Sequence, residues 1–239
     1  MGQFLRNMSF NVKFRQPSNI LVSGPSQTGK SNFLYRLIKN KHLLFTSVPK
    51  SVFYVYPSQH PLLDKMIEEK LVDKVLKSLP ENVESLEKLL TNHKADGSIL
   101  VIDDALTQLR PYLPQLFEVL SHRANCTIIL VSQNNFVDSA TFRRASNGCH
   151  YHVLMKHARN SMKIRNLLQQ IDNCNVKFGM DAYKDAVKLK KPLGGEEPPI
   201  YGYVVFDVYP FANENIRIRS SIFPEEHDPV TVYIDNKTQ

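Results

Sequence analysis

Short, nearly continuous apolar runs recur along the chain, each followed by a polar turn and then by apolar positions at helical spacing. Ile20-Leu21-Val22, SVFYVY over 51–56, SILVI at Ser98–Ile102 and TIILVS over 127–132 are the clearest runs. Strands that are apolar on both sides of the pleat suit a parallel sheet with both faces covered. Phe33, Leu34, Leu37 and Ile38 lie on one helical face, as do Leu62, Leu63, Met66, Ile67 and Leu71. The pattern predicts strands over 10–14, 19–23, 51–56, 98–103, 127–132, 151–155, 201–208 and 216–222. It predicts helices over 30–40, 62–71, 83–92 (with Ser85 as one candidate cap), 113–124, 139–145, 162–171 and 181–190. Residues 191–199, rich in Pro and Gly, form a loop, and a hairpin turn fits 210–215. Strands alternating with helices predict an α/β fold: a mostly parallel sheet with helices on both faces and antiparallel strands at the C-terminal edge. With 239 residues and no internal repeat, one domain over 1–239 is expected.

The first central strand opens into GPSQTGKS, which satisfies G-x-x-x-x-G-K-[ST], the phosphate-binding loop pattern. Gly24 and Gly29 permit backbone angles that a Cβ would forbid, so successive N–H groups can turn around an anion. The helix starting near Gly29 adds its positive N-terminal dipole. Lys30 would meet the β- and γ-phosphates, and the Ser31 hydroxyl would ligate Mg²⁺. The intervening Pro25, Ser26, Gln27 and Thr28 complete the ATP-binding loop through their backbone; Gln27 and Thr28 receive no side-chain role.

The strand ILVIDDAL ends in paired aspartates. Asp103 is placed to hold Mg²⁺, since ligands of open α/β sheets gather at the carboxyl ends of strands. Asp104 is placed to polarise an attacking water, although Asp is shorter than the Glu that many hydrolytic P-loop enzymes have here. Gln133, closing the next strand in LVSQ, is placed to sense the γ-phosphate or orient that water. Phosphoryl transfer also invites an arginine, often from a neighbouring subunit. Arg123, Arg143 and Arg144 are the candidates.

The formal charge of +7 permits a nucleic-acid partner without requiring one. Arg143, Arg144, Lys156, Arg159, Lys163 and Arg165 crowd one region, and Lys184, Lys188, Lys190 and Lys191 another; solvated helix faces explain them equally well. Cys126, Cys149 and Cys174 form no C-x-x-C pair and read as reduced, structural thiols. No apolar run approaches the roughly 20 residues of a membrane span. The start, MGQFLRNMSF, has no secretory core, so an intracellular location, cytoplasmic or nuclear, is expected.

GPSQTGKS, ILVIDDAL and LVSQ together resemble the FtsK/HerA superfamily of DNA-pumping ATPases. Within it the chain is most similar to the packaging ATPases of poxvirus-like double-stranded DNA viruses, virophages and Polinton-type elements, where an Asp-Asp pair also occurs. YVVFDVYPFANENIRIRSSIF resembles the closing strands of those proteins. The likeness spans about 11–223, and only the two Walker motifs are specific. It implies a RecA-like P-loop fold, ATP and Mg²⁺, and a hexameric or pentameric homo-oligomeric ring threading double-stranded DNA. A capsid or vertex protein would dock the ring. It also implies an arginine finger on the helix before the LVSQ strand, which maps to Arg123. Residues 57–81, or the basic stretch after Arg143, would supply DNA-gripping pore loops. Two other classes remain open: a P-loop nucleoside or nucleotide kinase, and a nucleotide-gated assembly protein with negligible turnover.

Overall fold

The computed structural model describes residues 3–6, 12–56, 59–104, 110–133, 140–157, 161–171, 175–188, 201–226 and 230–235. In chain order the first elements are β1 (Gln3–Arg6), β2 (Asn19–Ser23), α1 (Lys30–Lys39), α2 (Lys41–Leu44) and β3 (Ser51–Val55). They continue as α3 (Pro61–Glu68), β4 (Lys74–Leu76), α4 (Val83–Thr91) and β5 (Ser98–Ile102). One further helical stretch joins α5 (Leu113–Gln115), a π-turn over Leu116–Leu120 and α6 (Ser121–Arg123). Then follow β6 (Cys126–Ser132), α7 (Ala140–Asn147), β7 (Tyr151–Met155), α8 (Ser161–Gln170) and α9 (Val176–Ala186). The last strands are β8 (Tyr203–Asp207), β9 (Ile218–Ser220) and β10 (Thr231–Ile234).

The chain folds as two compact units. One comprises Lys13–Ser23 and Lys30–His150. Its strands are all parallel and run in the order β2-β6-β5-β3-β4. Every residue of β2, β5 and β6 is buried, as the unbroken apolar runs require. One core of this unit gathers Leu21, Phe53, Leu100, Leu116, Phe117, Leu130 and Phe142. Cys126 and Cys149 lie within it as free thiols, and burial pushes Cys126 up to about 12 and Cys149 higher still. Both are therefore inert packing groups. Cys174 lies outside the described residues.

The other unit comprises Met1–Val12, Gly24–Gly29 and Tyr151–Gln239. Its strands pair antiparallel in the order β1-β10-β9-β8-β7. Residues of α8 and α9, among them Ile164, Leu168, Met180 and Tyr183, pack with Leu154, Val204, Phe206 and Tyr233 of the strands. The fold class expected from the alternation, α/β with a parallel sheet and antiparallel strands toward the C-terminus, is what forms.

Several boundaries differ for local reasons. The edge strand expected at 10–14 is described only from Val12, and Phe14 makes a single parallel bridge to Phe45; Pro17, lacking an N–H, could not extend a ladder. Ser85 is not the cap of α4. Asn82 is, its side chain accepting from the Ser85 N–H at 3.1 Å. Asn175 caps the Phe178 N–H, so α9 starts at Val176 rather than 181. The strands β1, β4 and β10 and the short helix α2 were not expected. The basic side chains of Arg143, Arg144, Lys156, Arg165, Lys184 and Lys188 are exposed. Arg144 pairs with Glu118 and Lys188 with Asp185. The side chains of Arg159, Lys163, Lys190 and Lys191, like the loop 191–199, lie outside the described residues.

His152 on β7 faces Phe206 of β8 in register and is buried, and its Nδ1 has no hydrogen-bond partner. Burial drops its pKa from 6.5 to about 4, so the folded state holds it neutral. The unfolded chain takes up this proton near pH 6.5 and the folded chain only near pH 4. Stability is therefore complete above pH 6.5 and falls through that window on acidification, by at most about 3 kcal/mol. Urea denaturation of wild type and His152→Leu at pH 7 and pH 4.5 should show a smaller acid loss in the variant. Equal losses would remove His152 as the cause.

Candidate nucleotide-binding site

Parallel register brings the functional ends of three strands side by side. Ser23 of β2 faces Ser132 of β6, and Ile102 of β5 faces Leu130 of β6. Gln133, the residue after β6, and Asp103, the residue after β5, therefore leave the sheet at its carboxyl edge, as does the chain after Ser23. The sequence placed these groups on separate strands; strand order puts those strands side by side.

Beyond Ser23 the segment Gly24–Gly29 turns tightly. Thr28 Oγ1 donates to the Pro25 carbonyl at 2.7 Å, and Gln27 has φ 64°. A Cβ at Gly24 would lie 2.5 Å from Met155 Cβ and from Thr28 Oγ1. Gly29 has φ +95°, and a Cβ there would lie 2.5 Å from both Cβ and Cγ of Tyr201. Both glycines are thus required by space, and Gly29 also by conformation. Pro25, Ser26 and Gln27 are exposed, Thr28 and Gly29 partly so. The chain then enters α1 at Lys30, whose apolar face (Phe33, Leu34, Leu37, Ile38) is buried.

Lys30 and Ser31 are both partly exposed. Burial lowers the Lys30 pKa, and the charges of Asp103 and Asp104 oppose that fall. Both carboxylates therefore lie within electrostatic range of the ammonium.

Asp103 is held from several sides. Its N–H donates to the Val55 carbonyl at 2.9 Å. Its Oδ1 accepts the Asp104 N–H at 3.0 Å, its Oδ2 accepts the Tyr54 hydroxyl at 2.8 Å, and His60 Nε2 lies 3.5 Å from Oδ2. Burial would raise its pKa. The nearby His60 ring, the Tyr54 hydroxyl and the Asp104 N–H outweigh it and hold the carboxyl below its usual range. Tyr54, deeply buried beside this anion, has its pKa driven well up and stays a phenol.

Asp104 stands differently. It has φ 51°, a left-handed conformation that Asp tolerates. Its pKa is raised by partial burial and by the Asp103 charge, with Lys30 pulling the other way. Two adjacent carboxylates are thus pushed apart in basicity, one a fixed anion and the other the stronger base.

Gln133 is exposed. Arg123 stands at the other end of β6, about 20 Å along the strand from Gln133. Its side chain is 64% exposed and pairs with Glu87 Oε1 at 3.1 Å. The fold therefore groups Lys30, Asp103 and Asp104 and keeps Arg123 away from them within one chain. Residue reading alone missed Tyr54 and His60. A histidine just before Pro61, at a helix start, was the available signal for His60; Tyr54 had none beyond its place near a strand end.

The donor set fits Mg²⁺. Ser31 and Asp103 offer hard oxygens, and among the described residues no group of three His, Cys, Asp or Glu could cage a metal. Mg²⁺ suits such a site because it keeps waters and takes substrate phosphate oxygens alongside one or two protein ligands.

Among solved structures, the packaging NTPase B204 of Sulfolobus turreted icosahedral virus 2, in complex with sulfate, is similar at 14% identity. The match covers 82% of this chain and 93% of that one, with a TM-score of 0.48. B204 from Sulfolobus turreted icosahedral virus, a DNA-packaging ATPase, is 14% identical over 81% and 94%, with a TM-score of 0.47. Thermomonospora curvata EccC (ATPases 2 and 3, with a signal sequence peptide) is 14% identical over 58% and 30%, with a TM-score of 0.43. No curated protein matches the chain. Among the described residues no helix is long and apolar enough to cross a membrane. Residues 2–184, carrying the phosphate loop, the aspartate pair and Gln133, match the poxvirus A32 protein family. The chain belongs to that family of genome-packaging ATPases.

Proposed function

We propose that the chain hydrolyses Mg²⁺-ATP to drive double-stranded DNA into a viral or transposon capsid. The observation that carries this reading is the tight glycine turn leading into Lys30, together with Asp103, held by Tyr54 and the Asp104 N–H at the carboxyl end of β5. The backbone N–H groups of the loop 24–29, Pro25 excepted, cradle the phosphates, and Lys30 neutralises charge growing on the β–γ bridge and the γ-phosphoryl oxygens. Ser31 and Asp103 would hold the Mg²⁺, which would offset phosphate charge. Asp104 accepts the proton of the attacking water, and Gln133 orients that water. In this reading residues 1–239 work as one ATPase domain, with a core of about 11–223.

The ring, hexameric or pentameric, the capsid or vertex partner and an intracellular or virion location belong to the same proposal. Arg123, too far from its own Lys30 and exposed, would act on a neighbour's nucleotide after leaving Glu87.

Hydrolysis should be measured with and without duplex DNA for wild type, Lys30→Ala and Arg123→Ala. DNA-stimulated turnover lost in Lys30→Ala is expected, with Arg123→Ala poisoning mixed assemblies while binding ATP normally. Lys30-dependent turnover that ignores DNA would sink the DNA-motor reading. An Arg123→Ala protein as active as wild type in mixtures would sink the trans role.

A further inference from the structure

We propose that His60 and Tyr54 are positioning residues that lock the Asp103 carboxylate in its metal-holding orientation. This rests on the ATPase reading above. A free aspartate rotates about two side-chain bonds, so either oxygen could present itself to a ligand. Here each oxygen is assigned. Oδ1 takes the Asp104 N–H, while Oδ2 takes the Tyr54 hydroxyl and faces His60 Nε2. A carboxylate has about four lone-pair directions, so this anchoring leaves capacity for a metal or its water.

The His60 ring is oriented by its own helix. Its Nδ1 accepts the Leu63 N–H at 3.2 Å, capping α3 with Pro61 at the first position. Accepting at Nδ1 places the ring proton on Nε2, the nitrogen aimed at Asp103. That N–H is buried and has no partner at hydrogen-bond distance, and Oδ2 stands 3.5 Å away. A shift of a few tenths of an ångström, of the kind that accompanies ligand binding, would close the bond. Tyr54 comes from β3, whose Val55 lies in register with Ile102 just before Asp103. Strand pairing thus delivers the hydroxyl and the helix cap delivers the imidazole to one oxygen. Partners behind a ligand of this kind typically carry about 10–100-fold in metal affinity or activity.

Two substitutions at His60 separate capping from positioning. His60→Asn keeps a good cap and loses the Nε2 donor, while His60→Gln keeps an N–H near Nε2 and weakens the cap. The full chain is loaded with a non-hydrolysable ATP analogue, and Mn²⁺ binding is followed by electron paramagnetic resonance, beside melting temperature and metal-free nucleotide affinity. Tyr54→Phe and His60→Asn should weaken Mn²⁺ binding about tenfold or more and lower kcat alongside, with metal-free nucleotide affinity unchanged. His60→Gln should melt lower yet hold Mn²⁺ more tightly than His60→Asn. Wild-type Mn²⁺ affinity in both Tyr54→Phe and His60→Asn would overturn the proposal and leave the ATPase reading standing. Mn²⁺ losses that track melting temperature, with His60→Gln the weakest, would reduce both residues to structural ones. A wild type that binds no Mn²⁺ with the nucleotide would overturn the ATPase reading and this inference together.

Discussion

Asp104→Asn should lower kcat for ATP about 10²–10⁴-fold while leaving nucleotide affinity near wild type, the loss typical of removing a positioned general base. The substitution is nearly isosteric, and Asn accepts the left-handed conformation that φ 51° imposes. Alanine would add backbone strain and blur the result. What Asn lacks is the carboxylate that partial burial and the neighbouring Asp103 charge make more basic, against the pull of Lys30. Single-turnover hydrolysis, with analogue binding measured in parallel, reads this directly. A variant that turns over like wild type would pass the base role to another group.

Gly29→Ala should damage both folding and nucleotide binding. At φ +95° an L-residue carries a conformational penalty of about 1–2 kcal/mol before any contact is considered. The added methyl would also sit 2.5 Å from Tyr201 Cβ and Cγ, atoms close to the backbone that cannot swing aside. For a chain of this size the conformational part alone corresponds to a melting drop of roughly 2–8 °C. Because the same turn aims the phosphate-binding N–H groups, ATP affinity should fall by about tenfold or more. Calorimetric melting and analogue titration test the two effects. Unchanged melting would mean that Tyr201 does not pack here as described.

The strands Asn19–Ser23, Ser98–Ile102 and Cys126–Ser132 were legible because burial on both faces leaves an unbroken apolar run. β4 was not. Three residues with one lysine at a sheet edge carry no periodicity to read. The start of α9 escaped because its cap, Asn175, acts through a local hydrogen bond that leaves no mark in the apolar spacing. For the site, GPSQTGKS and the Asp103-Asp104 pair were visible because phosphate chemistry demands those residue types at close sequence spacing. Tyr54 and His60 were not, since they reach Asp103 across strand pairing and a helix cap rather than along the chain.

Residue order alone thus determined the α/β alternation, the phosphate loop and the acidic pair, because each is a short-range pattern of apolarity, glycine and charge. Tertiary structure decided the rest. Placing β6 between β2 and β5 sets Gln133 and Asp103 at the ends of adjacent strands, while Arg123, on α6, precedes the opposite end of β6. Folding also made the two aspartates unequal, since burial and hydrogen bonds, which no sequence displays, anchor one as an anion and raise the basicity of the other.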